Sequence, residues 1–161
     1  MKRCVAAVLL FGALLSGGGA PAQAPPPGPS TVWGQRDLRF QTVIPGLPTS
    51  VDWSSNKAGQ WLLRGQRGAE IQLDFINLPS SLQSGGNNLP VSFSVTDAAW
   101  RTPGGGTAAT VFDPSTGVTA RFSNRSNLMW VKLGGTANPT SGQAGGDYSA
   151  DVDLDVYYTG N

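Results

Sequence analysis

Residues 148–158 (YSADVDLDVYY) decide the fold class of this chain. Every second residue of the segment is apolar or aromatic, namely Tyr148, Ala150, Val152, Leu154, Val156 and Tyr158. Three aspartates, Asp151, Asp153 and Asp155, fall between them. Side chains on one face of a β-strand repeat every two residues, whereas those of a helix repeat every 3.6 residues. The segment is therefore predicted to be a strand with one face on a core and the other in water.

The same period of two, in longer or shorter form, recurs along the chain between turn-forming stretches. The other predicted strands are 38–44, 61–64, 69–78, 90–96, 110–112, 118–122 and 128–133. Glycine, asparagine and proline separate them, as in Ser84-Gly85-Gly86-Asn87-Asn88, and these residues suit tight turns. No window of ten residues has a helical pattern. We predict an all-β fold, an immunoglobulin-like antiparallel β-sandwich of about eight strands, with a closed barrel as the alternative.

The first residues have the plan of a secretory signal peptide, which we assign to residues 1–22. Lys2 and Arg3 precede an uncharged apolar run over residues 4–15, and small residues follow. The run is short for a membrane-spanning helix, which is the alternative interpretation. Cleavage is predicted after Ala22, with a competing site after Ala24. The protein is therefore expected to be exported to the periplasm, the cell surface or the extracellular space.

The remaining residues, about 139, suffice for one domain. Residues 23–36 begin with a proline-rich stretch (QAPPPGPS), so we predict an N-terminal tether there. Residues 37–161 are assigned to the β-sandwich domain. The tether lacks the alternating apolar residues that would complete a neighbour's sheet, and so the domain is predicted to be complete in itself.

The composition argues against most catalytic chemistries. The sequence contains no histidine, and its one cysteine, Cys4, lies in the predicted signal peptide. Histidine-assisted nucleophiles and thiolate catalysis are therefore excluded from the mature chain. Without Lys2 and Arg3 the chain has nine basic and ten acidic residues, which is a poor balance for binding nucleic acid. We predict no enzyme, no catalytic residue, no cofactor, no nucleic-acid partner and no membrane span in the mature chain.

The pattern Asp151-x-Asp153-x-Asp155 suggests a calcium site, but the predicted strand opposes it. Aspartates two residues apart on a strand are separated by about 6.7 Å. A calcium ion takes oxygens at about 2.4 Å, so consecutive positions of a flat strand do not surround it. We predict a solvated acidic face and no metal site.

Five tryptophans are many for a chain of this length, and they are the candidate ligand-binding residues. Trp53, Trp61, Trp100 and Trp130 are predicted as possible ligand-stacking aromatics, because indole rings stack on sugars in carbohydrate-binding sandwiches. The alternative is that they pack at strand ends and under loops, where an indole is half buried.

Three stretches resemble a family of exported bacterial domains known as domain of unknown function 4402. Residues 37–46 (DLRFQTVIPG) resemble its opening motif, with Gln41 in place of the usual glycine. Residues 133–136 (LGGT) and 145–150 (GGDYSA), running into the last strand, resemble its closing motif. The resemblance implies an immunoglobulin-like sandwich distantly similar to pilus subunits and spore coat protein U domains, without catalytic residues.

Together these features predict an exported, non-enzymatic structural or adhesive protein of the cell surface or periplasm. It would belong to a surface assembly and bind an unidentified protein or surface polymer. The alternative is a carbohydrate-binding module.

Overall fold

The computed structural model describes residues 31–104 and 108–159. The predicted signal peptide, both cleavage sites and the proline-rich stretch 23–30 lie outside these residues. Within them there is no helix, and the chain forms twelve β-strands. These are β1 (Thr31–Arg36), β2 (Thr49–Val51), β3 (Gly59–Arg64), β4 (Glu70–Ile76), β5 (Ser81–Ser84), β6 (Asn87–Ser92), β7 (Ala98–Arg101), β8 (Thr110–Phe112), β9 (Val118–Arg121), β10 (Leu128–Leu133), β11 (Gly135–Ala137) and β12 (Asp153–Tyr158).

The strands pair into three open antiparallel sheets. The orders are β1-β3-β10-β7-β8, β2-β11-β6-β5 and β12-β4-β9. The all-β sandwich predicted from the sequence is confirmed, and the closed barrel is wrong. The strand number is twelve rather than about eight.

The main core lies between the five-stranded and the three-stranded sheets. Leu63, Met129 and Val131 enter it from the first sheet, and Ile71 and Leu73 enter it from the second. All five are fully buried. Burying each side chain of this size stabilises the fold by about 1.5–3 kcal/mol, so this interface makes a large contribution to stability.

Aromatic rings extend the contact between the two sheets. Phe75 of β4 meets Trp61 of β3 edge to face, with ring centroids 5.3 Å apart. It also stacks on Phe112 of β8 at 6.2 Å. A smaller core beneath the four-stranded sheet contains Val51 and Leu89. Because Phe93 packs against both cores, the molecule has one continuous apolar interior.

Several predicted strands match the structure closely. The strands at Thr110–Phe112 and Leu128–Leu133 agree at both ends, and those at β3, β4 and β9 lie within the predicted ranges or differ by one or two residues. The predicted turn at 84–88 joins β5 to β6, with Gly85 at φ 53° and Gly86 at φ 90°. Two consecutive left-handed residues are what the shortest hairpin loops require.

Two predicted strands are wrong in whole or in part. Residues 38–44 form no strand, although Phe40 is buried as the alternation suggested. Gln41 has a left-handed φ of 59°, which interrupts an extended ladder. The strand predicted over 90–96 begins earlier, at Asn87, and ends at Ser92. The Ser94 amide then donates to the Asp97 carboxylate at 2.7 Å, which closes a turn.

The predicted tether is also too long. Its last six residues, Thr31–Arg36, form β1, which pairs with β3 at the edge of the five-stranded sheet. Five of the six are exposed, so this strand is held by its backbone ladder more than by burial. An exposed edge strand has little apolar alternation, and for that reason the sequence pattern missed it.

The last strand has the predicted faces and a later start. β12 begins at Asp153, and residue 149 makes only an isolated bridge to Gln83. Leu154 and Val156 are half buried and pack against the main core, whereas Asp153 and Asp155 are exposed.

This arrangement predicts a sharp difference between neighbouring substitutions in β12. Leu154→Asp places a charge against the core opposite Phe75 and should lower the free energy of unfolding by about 2–3 kcal/mol. Asp153→Asn, on the wet face, should change it by less than about 0.5 kcal/mol. Urea unfolding followed by circular dichroism measures both. Equal stability of the two variants would show that the faces of the strand are reversed.

A glycine pair lets the chain pass from one sheet to another. β10 ends at Leu133 in the centre of the five-stranded sheet, and β11 begins at Gly135 inside the four-stranded sheet. A Cβ atom on Gly134 would overlap the Val51 carbonyl oxygen and lie 2.8 Å from the Trp53 amide nitrogen. The Gly134 amide donates to the Asp97 carbonyl at 2.7 Å. Only glycine fits this corner without moving backbone.

We therefore expect Gly134→Ala to cost about 1–3 kcal/mol of stability, because the clash is with backbone atoms that lack freedom to rotate away. Gly142→Ala is the matched control, since a Cβ there meets nothing within 4 Å. Thermal unfolding of the two variants and the parent compares them. A Gly134→Ala protein as stable as Gly142→Ala would contradict the tight corner.

Candidate functional site

The outer face of the five-stranded sheet carries a row of apolar and aromatic side chains. Strand register places Trp33, Leu62, Trp130 and Arg101 side by side on β1, β3, β10 and β7. The residues that flank Trp130 along β10, Met129 and Val131, are fully buried on the inner face, so Trp130 points outward. Trp33 is 39% exposed. Its backbone lies roughly 10 Å from that of Trp130, two strand spacings away.

The neighbouring row on the same face is cationic. Arg36, Gln60, Lys132 and Ala99 are opposite one another in the register. In the described part of the chain, none of the outward-facing strand residues of this sheet is acidic. Partial burial lowers the pKa of Lys132 below its usual range, and the nearby Arg101 and Arg36 guanidinium groups lower it further. Positive charge is therefore concentrated on this face without a carboxylate to offset it.

A cavity of about 330 Å³ opens at one end of these two rows. Trp53, Trp100 and Trp130 line it together with Arg101 and Lys132. Its remaining walls include small side chains, Ala99, Ala108 and Ala109. We refer to this space as the tryptophan cavity. It combines flat apolar rings with two cations, and no described residue that lines it is acidic.

The loop that carries Trp53 is fixed by a short turn. The Asp52 carboxylate accepts a hydrogen bond from the Ser54 amide at 2.7 Å. Hydrogen bonds from Ser54 lower the pKa of Asp52 below its ordinary value, so the carboxylate stays ionised in weak acid. The same loop passes the Gly134 corner, where the Trp53 amide nitrogen would lie 2.8 Å from a Cβ on Gly134.

Three of the four tryptophans predicted as ligand-stacking residues meet at the cavity, but they are not equivalent. Trp100 is opposite the buried Val131 in the register, so it belongs to the inner row and packs against the main core. Its indole Nε1 is buried without a hydrogen-bond partner among the described residues. Trp53 and Trp130 are half buried and are not part of either core cluster. They are the rings available for stacking.

The fourth predicted residue lies elsewhere. Trp61 is on the inner row of β3 and packs edge to face against Phe75, between the sheets and not under a loop. Trp33, Arg101 and Lys132 were not among the ligand-binding residues predicted from the sequence. Alternation places both Trp33 and Trp130 on one face once the order and register of the strands are known. No local sequence pattern predicts that β1 and β10 lie in the same sheet.

Two larger cavities, of about 830 and 720 Å³, lie beside the coil that contains Leu38 and Phe40. Both reach Tyr148 and follow the gap between that coil and the segment preceding β12. Trp61 is the one tryptophan that lines either of them, and its ring already packs against Phe75. Tyr148 packs against the smaller core, so neither cavity has two indole rings outside the cores as the tryptophan cavity does.

The outer face of the three-stranded sheet is acidic instead. Asp155 lies opposite Asp74 in the register, with Asp153 one pleat away. The Asp74 carboxylate accepts hydrogen bonds from Gln72 at 2.9 Å and from the Tyr157 hydroxyl at 3.2 Å. The bond to Asp74 raises the pKa of Tyr157. No group of three metal-ligating side chains occurs within residues 31–104 and 108–159, and these aspartates form a solvated face.

The chain has no match in comparisons with family models, curated proteins and solved structures. Among the described residues, no helix is long and apolar enough to cross a membrane. The likeness to domain of unknown function 4402 stays a prediction from the quoted motifs.

Proposed function

We propose that this chain is an exported, non-enzymatic adhesive protein of the cell surface or periplasm that holds its partner at the tryptophan cavity. The observation that carries the proposal is the meeting of Trp53 and Trp130 at one open cavity on a rigid sheet. Rings held by strands and tight turns bind a flat ligand with little loss of conformational freedom.

A saccharide is the ligand class that this geometry favours, which brings the carbohydrate-binding alternative into the same proposal. Sugar rings present flat C–H faces to indole rings and hydroxyl groups to polar side chains. The tryptophan cavity offers indoles at its walls, and Ser54 and Lys132 supply hydrogen-bond donors. A shallow site of about 330 Å³ suits one or two sugar units of a longer polymer.

The residue types around the cavity favour binding over catalysis. Hydrolysis of a glycosidic bond requires an acid and a base, which are nearly always two carboxylates across one cleft. The described residues that line the tryptophan cavity include no carboxylate and, as in the whole sequence, no histidine. A ligand bound there would be retained and not cleaved.

The export part of the proposal has a direct test. The protein produced in a bacterium with a functional secretion pathway should leave the cytoplasm and begin at Gln23. Amino-terminal sequencing of the exported material identifies the first residue. A cytoplasmic product that retains Lys2 and Arg3 would contradict export.

The binding part is tested by tryptophan fluorescence on a panel of surface and plant polysaccharides. At least one polysaccharide should shift the emission of the parent protein, and Trp130→Ala should weaken that binding about tenfold or more. Trp33→Ala is the matched control, because Trp33 lies on the same face but does not line the cavity. No response to any polysaccharide, or equal effects of both substitutions, would count against the cavity.

A further inference from the structure

The charges at the tryptophan cavity narrow the class of its ligand beyond a saccharide in general. Lys132 and Arg101 lie on adjacent strands, β10 and β7, and both line the cavity. Arg36, two strands from β10, adds a third cation to the row of Lys132. Cations placed together on one sheet face repel one another, and cross-strand pairs of like charge are destabilising.

Among the described residues, none of the outward-facing strand positions of this sheet carries a carboxylate that would compensate this charge. Asp37, next to Arg36, pairs with Arg39 at 3.2 Å. Asp97, four residues before Arg101, accepts a hydrogen bond from the Ser94 amide at 2.7 Å. Asp52, beside Trp53, accepts one from the Ser54 amide in its own turn. The acidic residues of the sheets, such as Asp74 and Asp155, lie on the outer face of the other sheet, on the opposite side of the main core. An anionic ligand at the cavity would therefore find its countercharges already assembled and unshielded by protein carboxylates.

We propose that the tryptophan cavity binds an acidic polysaccharide, with a uronate ring stacked on Trp53 and Trp130 and its carboxylate at Lys132 and Arg101. The inference rests on the proposed function and adds the charge of the ligand to it. Arg101 presents a planar fork that pairs with both carboxylate oxygens, and Lys132 acts as a point charge beside it.

The indoles favour this ligand over other polyanions. Proteins bind nucleic acid mainly through its phosphates. After export this chain has nine basic and ten acidic residues, which are few cations for contacts along a phosphate backbone. Only a short stretch of polymer fits a cavity of about 330 Å³, where one ring and one acid group meet indole and cation together. We therefore expect this cavity to bind a polymer of uronate rings more tightly than a nucleic acid.

The experiment compares one polymer in two charge states. Polygalacturonate and its carboxyl-reduced, neutral form share the same sugar backbone, and isothermal titration calorimetry measures the binding of each to the full exported protein. The proposal expects binding of polygalacturonate that is at least about tenfold tighter than that of the reduced polymer. Lys132→Gln and Arg101→Gln should each lose about tenfold for polygalacturonate and change little for the reduced form. Arg125→Gln, which removes the same charge from an exposed turn outside the cavity, should bind as the parent does.

Each other outcome has a defined meaning. Equal affinity for the charged and the reduced polymer, with dependence on Trp130, would overturn the acidic ligand and leave the proposed saccharide site standing. Loss of affinity in Arg125→Gln as large as in Lys132→Gln, or equally tight binding of a single-stranded DNA oligonucleotide, would overturn it in favour of unspecific attraction to polyanions. Binding of neither polymer would overturn this inference, whereas the proposed function would fall only if the wider polysaccharide panel also failed. Circular dichroism of every variant establishes that a lost signal comes from binding and not from unfolding.

Discussion

The passage of the chain through Gly134 is the constraint on which the two halves of the molecule depend. One residue separates the central strand of the five-stranded sheet from an inner strand of the four-stranded sheet. Because the connection is a single residue, the two sheets cannot move far relative to one another. The space for it exists only because the residue has no side chain against Val51 and Trp53. The Trp53 amide lies at the same corner, so the connection between the sheets passes close to one wall of the tryptophan cavity.

The two sheets that enclose the main core carry opposite charge on their outer faces. The five-stranded sheet presents Arg36, Arg101 and Lys132, and the three-stranded sheet presents Asp74 and Asp155. The near-neutral net charge is therefore the sum of a cationic and an acidic surface, which lie on opposite sides of the main core. The balance of nine basic and ten acidic residues did not predict this separation, because a net charge contains no information on where the charges lie. Charged strand faces also discourage edge-to-edge and face-to-face aggregation of sheets.

The sequence predicted those strands whose two faces meet different surroundings. β4 and β10 alternate between fully buried and partly exposed residues, and both were found within two residues of their ends. It missed β1, whose residues are mostly exposed, and the strands β2, β5, β7 and β11, which have only three or four residues each. So few residues show little alternation, although β8, of three residues, was predicted. In the wrong strand at 38–44 the predicted alternation holds only as far as Phe40. After the left-handed Gln41 it is reversed, so that Val43 packs against the smaller core and Ile44 is 58% exposed.

The candidate site was predictable in its residue types and not in its geometry. Tryptophans were the right residues to single out, and three of the four named meet at one cavity. Their cationic neighbours were not predictable, because Arg36, Arg101 and Lys132 come from strands far apart in sequence. Only the order β1-β3-β10-β7 brings them to one face, and no local pattern encodes the order of strands in a sheet.

The alternation of side chains along each strand couples the residues of the binding face to those of the core. Along β10, Met129 and Val131 fill the interior while Trp130 and Lys132 point outward, and the pairing with β3 and β7 repeats this division across the sheet. A shift of register by one residue would exchange the two sets, placing an indole and an ammonium group in the core and methyl groups at the cavity. The cost of burying the Lys132 charge opposes such a shift more strongly than the loss of any one apolar contact. The outward cations therefore have a structural consequence as well as a proposed role in binding: they help to specify the one register in which Trp130 faces the ligand.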